Sequence, residues 1–129
     1  MTRFTARAVI AHLAERFTLS GSGSNWVELW WKLTVDGERC VQHQVVYIDE
    51  LDDGLSVLID TDVHCLDPER VDWDVLAVSV GALGFDGGRP VLWQPVIGKD
   101  LDPAHLERVM QAVAYEAAQL ARHARLAAA

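Results

Sequence analysis

Basic residues and cysteines are scarce in this chain. Only 11 Lys and Arg stand against 19 Asp and Glu, leaving a net charge of −8. A surface of that sign repels a phosphate backbone, which excludes nucleic acid as a partner class. The two cysteines, Cys40 and Cys65, cannot build a disulfide framework for 129 residues and read as reduced thiols. Long apolar runs are missing too. Nothing approaches the roughly 20 residues of a membrane-spanning helix, and Arg3, Arg7, His12, Glu15 and Arg16 interrupt the apolar residues of the N-terminus. The expectation is a cytoplasmic protein without a membrane segment, its core held by burial alone.

Half of the residues are hydrophobic, enough for one core in a chain of 129. The acidity is concentrated: from Asp36 to Asp74 the chain has twelve carboxylates and two arginines, Arg39 and Arg70. Such a middle either steers a basic partner or keeps exposed turns soluble.

Periodicity supplies the architecture. Ala6, Val9, Ile10, Leu13 and Phe17 form one stripe of an amphipathic helix. SGSGSN at 20–25 reads as a flexible linker. In WVELWWKLTV (26–35), Val27, Leu29, Trp31, Leu33 and Val35 take one face of a strand, and Trp26, Glu28, Trp30, Lys32 and Thr34 the other. Asp36-Gly37 marks a hairpin, with RCVQHQVVYI (39–48) returning. A two-residue turn would put Gln42 and Gln44 on the apolar face. A bulge or longer loop would put Val41, Val45 and Tyr47 there, and the apolar pattern favours that second register. Further strands are expected at 55–63, 76–85 and 91–97, with Pro95 suggesting an edge strand. Asp67-Pro68 and Asp102-Pro103 open helices with an Asp cap and Pro in the first turn. The whole of 1–129 therefore reads as one α+β domain. Its expected order is α-β-β-β-α-β-β-α, around a five-stranded antiparallel sheet.

No enzyme signature emerges. Cys40, His43, His64 and Cys65 are the only metal-like set, but neighbours on a strand point apart, so four ligands do not converge. The carboxylates Asp49, Glu50, Asp52 and Asp53 sit at a hairpin tip, where solvation leaves them ordinary. Gly87-Gly88 precedes a strand rather than a helix, so it forms no phosphate cradle. No catalytic residue, cofactor or metal is assigned. What remains is apolar surface. Trp26 and Trp30 stand opposite the apolar row of their strand, and Trp93 shares a face with Val91, Pro95 and Ile97; these three tryptophans are the candidate partner-binding residues.

The stretch VGALGFDGGRPVLWQPVIGKDLDPAHLERVMQAVAYEAAQLA (80–121) resembles the C-terminal half of the YbjN and type III secretion chaperone-like superfamily. The shared pattern is a strand into a Gly turn, a strand with an aromatic, an xDLDPxxL helix start and a long Ala-rich helix. The resemblance implies a chaperone or adaptor, commonly a homodimer, that holds an extended segment of another polypeptide. Val71, Trp73 and Leu76 are the expected dimer contacts under that implication. The alternatives are a self-associating module without an extended client and, behind it, a small-ligand binder.

Overall fold

The computed structural model describes residues 5–64, 68–73, 76, 78–98 and 102–128. Its elements, in chain order, are helix α1 (Ala6–Arg16), strands β1 (Leu19–Ser22), β2 (Trp26–Val35), β3 (Glu38–Leu51) and β4 (Gly54–Asp62), a 3-10 turn (Pro68–Arg70), strands β5 (Ala82–Asp86) and β6 (Arg89–Gly98), and helix α2 (Pro103–Ala128). All strand pairs are antiparallel, in the spatial order β1-β2-β3-β4-β6-β5. The protein is thus α+β as expected, but with six strands instead of five and with β6 inserted between β4 and β5.

The extra strand is the stretch expected to be a linker. Leu19–Ser22 pairs with Val27–Leu29, and the indole of Trp26 lies across it. A Cβ on Gly23 would collide with that indole, and one on Gly21 would meet it at 3.3 Å. Its glycines therefore make room for an aromatic ring. Among the described residues the expected helix after Asp67 appears as the 3-10 turn, Asp67 itself lying outside them, and the expected strand 76–85 is formed from Ala82 on. Pro95 does not sit on an edge strand of the sheet as a whole. However, β5 pairs only with Arg89–Trp93, so Pro95 lies where β6 has run past its outer neighbour.

The first hairpin also corrects the expected register. Leu33 pairs with Cys40 and Trp31 with Gln42, without a bulge. Asp36 and Gly37 both have positive φ, 50° and 82°. That is the type I′ geometry whose twist matches a two-residue hairpin. Gln42 and Gln44 accordingly lie inside, and they survive there because their amides are satisfied. Gln44 accepts from Trp31 Nε1 (2.9 Å) and donates to Thr61 Oγ1 (3.0 Å) and to the Met110 carbonyl (2.9 Å). Gln42 donates to the Asp62 carbonyl. A buried amide is expensive only when unpaired. Val41 and Tyr47, expected inside, are exposed, and Val45 is half-buried on the same outer face.

Both helices cover one face of the sheet. Ala6, Val9 and Leu13 of α1, with Leu106, Met110, Val113, Ala117 and Leu120 of α2, close over Val27, Leu29, Val46, Ile48, Val57, Ile59 and Leu92. Trp31 packs at the margin of this core and meets Phe17 at 5.1 Å between ring centres. Helix α1 is capped twice: Thr5 Oγ1 accepts from Ala8 N, and Glu50, from the β3–β4 hairpin, accepts from Ala6 N at 2.8 Å. In α2, Asp102 Oδ1 accepts from Ala104 N, the capping expected of Asp102-Pro103. Buried Glu116 accepts from the N–H and hydroxyl of Ser79 (both 2.9 Å), tying the segment before β5 to the helix. At the far end Arg122 pairs with Asp36 (3.0 Å) and Arg125 with Glu38 (2.7 Å). Arg125 holds the Glu38 carboxyl below the usual carboxylate range.

Candidate partner-binding face

With both helices on one side, alternation sends every second strand residue to a face that no element of the described chain covers. Register arranges that face in rows. Trp26 pairs with Tyr47, Tyr47 with Leu58 and Leu58 with Pro95, giving an apolar row across four strands. The next row runs Glu28, Val45, Asp60, Trp93, Ala82. Beyond it lie Trp30, paired with His43, then Asp62, paired with Val91. The large apolar residues left open on this face are Ile97 (72% exposed), Val41 (57%), Trp30 (54%), Leu51 (43%), Tyr47 (42%) and Leu58 (39%).

The three tryptophans singled out from the sequence, Trp26, Trp30 and Trp93, all stand here, in different surroundings. Trp30 is exposed and meets His43 at 4.7 Å between ring centres, the planes tilted by 48°. Trp26 is half-buried because its ring rests on Gly21 of β1 and on Gly23 just beyond it. Trp93 is half-buried for the same reason at the opposite edge, where a Cβ on Gly84 of β5 would strike its ring. Tyr47, Leu58 and Val41 were missed as site residues. The wrong register turned Val41 and Tyr47 inward, and the Asp-Gly turn was the signal that would have corrected it. Val71, Trp73 and Leu76 lie elsewhere. Val71 is buried, and Trp73 and Leu76 are half-buried and pack on the chain's own core. Trp73 donates to the Pro68 carbonyl at 2.9 Å and meets Phe85 edge-on at 5.8 Å.

Among the polar groups of the open face, His43 is held between two carboxylates, Asp62 at 3.0 Å from Nδ1 and Glu28 at 3.4 Å from Nε2. Ser20 donates to Glu28 at 2.9 Å, and this bond, with that of His43, holds the Glu28 carboxyl low. Burial raises Asp60 above the usual carboxylate range, reinforced by Asp62 and Asp86 and opposed by a hydrogen bond from Trp93. Burial and the same carboxylates push the Tyr47 phenol up.

The chain matches no family model, no curated protein and no solved structure at a significant level. The site is therefore judged on its own chemistry. The Ser20 hydroxyl donates to a carboxylate and not to the imidazole, so the Ser20–Glu28–His43–Asp62 chain lacks the nucleophile-to-base bond of a hydrolase triad. A shallow recess of ≈ 370 Å³ at the hairpin end is lined by Lys32, Leu33, Thr34, Arg39, Cys40 and Val41, which include no paired acid and base. Of the metal-like set, Cys40 donates through sulfur to the Leu33 carbonyl, His43 is hydrogen-bonded to Asp62, His64 is exposed, and Cys65 lies outside the described residues. No helix among the described residues is long and apolar enough to cross a membrane. What the arrangement offers is an apolar, hydrogen-bonding surface.

Proposed function

We propose that this protein is a non-enzymatic chaperone or adaptor whose open sheet face holds an extended segment of a partner polypeptide. The observation that carries the reading is the apolar row from Trp26 to Pro95, flanked by Trp30 and Ile97, on a face the protein's own helices leave uncovered. Clustered aromatic and aliphatic side chains of this kind mark interaction sites, because a monomer gains nothing by leaving them in water. The row spans three strand spacings, about 14 Å, the length of about four extended residues. The resemblance of residues 80–121 to secretion-chaperone-like proteins supports a polypeptide as the client. A cytoplasmic setting belongs to the same reading.

A second copy of the chain is the rival occupant, favoured by the way one sheet face can pack on another. Sedimentation velocity combined with capture from native lysate separates the two. The wild-type protein is expected to retain a discrete partner that Leu58→Asp and Trp30→Ala lose while remaining folded. A protein that retains nothing and sediments as a dimer, with Leu58→Asp monomeric, is instead the self-associating module.

A further inference from the structure

We propose that the bound segment is cationic, and that the carboxylates Glu28, Asp60, Asp62 and Asp86 receive its Lys or Arg side chain at the place where Arg89 of this chain now stands. The inference rests on the proposed function, since the apolar row makes the surface a docking site and the carboxylates only give its occupant a sign.

The charges of the open face are segregated along the strands. Glu28 and Asp60 occupy the row beside the apolar one, Asp62 the next, and Asp86 closes the β5–β6 hairpin opposite Arg89. Lys32 and Arg39 stand on the β2–β3 arm, paired with Val41 and Thr34, away from Asp60 and Asp86. Four carboxylates therefore face one guanidinium and one imidazole. The imidazole is already committed to Glu28 and Asp62. The guanidinium is poorly engaged: Arg89 lies 3.9 Å from both Asp62 and Asp86, and its side chain is 67% exposed. An exposed pair at that separation contributes little and is readily exchanged.

The surroundings amplify the sign. Trp93 and the neighbouring strands partly desolvate Asp60, and Asp62 and Asp86 raise its carboxyl further. Negative charge on a surface of lowered polarity attracts a cation more strongly than the same charge in water. Successive rows lie about 7 Å apart along the strands. A segment on the apolar row thus has the carboxylates beside it, within the span of a Lys or Arg side chain. Its aliphatic stem would cover Leu58 and Trp93 while the head reaches Asp60 and Asp62. A segment of alternating apolar and basic residues fits both features at once; an acidic one is repelled.

The test uses the full chain and three hexapeptides of valine alternating with arginine, glutamine or glutamate, titrated by calorimetry at low salt. The arginine peptide is expected to bind at least about tenfold tighter than the glutamine peptide, and the glutamate peptide weakest. Asp60→Asn combined with Asp62→Asn should bring the arginine-to-glutamine ratio close to one, while the amide oxygen introduced by Asp60→Asn still accepts from the Trp93 indole. Arg89→Gln should tighten the arginine peptide several-fold, and 0.5 M salt should erase most of the preference. Equal binding of the arginine and glutamine peptides, or a ratio unchanged in the double variant, overturns the cationic inference. In that event loss of both peptides in Leu58→Asp still upholds the binding face. Binding of none of the three, or a dimer that buries Trp30, overturns the face as a client site and the inference with it.

Discussion

Both faces of the sheet carry apolar residues, and they treat their polar groups in opposite ways. On the helix-covered face, Gln42, Gln44 and Thr61 are buried and bonded within the chain, Gln44 alone linking Trp31, Thr61 and the backbone of α2. On the open face, Glu28, His43, Asp60 and Asp62 remain half-buried; His43 lies between Glu28 and Asp62, Asp60 accepts from Trp93, and the carboxylate oxygens keep lone pairs to spare. The covered polar groups fix a structure; the open ones are still available to something else. A difference of this kind separates a core from a surface more sharply than hydrophobicity does.

The two faces should differ most when neighbours that point apart are truncated. Ile59 is fully buried and Leu58 is on the open face. Ile59→Ala should cost about 2–5 kcal/mol in urea unfolding, whereas Leu58→Ala should cost less than about 1 kcal/mol and act on partner binding instead. Equal losses would mean that the faces are not distinct. The adjacent indoles offer a second contrast. Trp31→Ala removes the packing on Phe17 and the donor to Gln44, an expected loss of about 3 kcal/mol. Trp30→Ala forfeits little beyond its ring contact with His43, about 1 kcal/mol or less. Thermal melts of both variants would show two equal shifts if the assignment is mistaken.

A third variant tests whether the buried amide matters. Gln44→Leu keeps the volume and raises the hydrophobicity, yet it strands the Trp31 N–H and removes the donor to the Thr61 hydroxyl and the second donor to the Met110 carbonyl. Its expected effect is a loss of about 1–3 kcal/mol; a gain in stability would show the network to be dispensable. The smallest effect is expected at Asp60. Its carboxyl is raised in the folded state, so the native protein holds this proton more tightly than the unfolded chain. The contribution to stability consequently falls as pH rises from the ordinary carboxylate value through the raised one. Asp60→Asn should raise the Tm slightly at pH 7 and leave it unchanged at pH 3, while weakening any basic ligand. A lower Tm at pH 7 would contradict the sign.

Much of the covered side was legible in the sequence because helical spacing survives without knowledge of partners. The stripes of Leu13 and Met110, the Asp102 cap and the alternation in β2 all stand where spacing placed them. Two local signals misled. Gly21 and Gly23 look like flexibility until Trp26 is seen to lie over them; the ring is close in sequence, but nothing in the local pattern says that the chain turns back beneath it. Gln42 and Gln44 look like surface residues because their partners, Met110 among them, are distant in sequence. The open face suffered from that second error. Its three tryptophans were readable one by one, but the register that joins them to Tyr47 and Leu58 depended on trusting Asp36-Gly37 over the apolar pattern.

At both margins of the sheet an inner strand lays an indole across a glycine of its outer neighbour, Trp26 over Gly21 (and over Gly23 in the turn that follows), Trp93 over Gly84. Such residues cannot drift separately. A side chain at position 84 is blocked while Trp93 stands, and becomes permissible once Trp93 is replaced by something small. Each ring and its glycine should therefore be inherited as a single character. Among relatives, a pair changed on one side only would mark a sheet whose margin has been rebuilt.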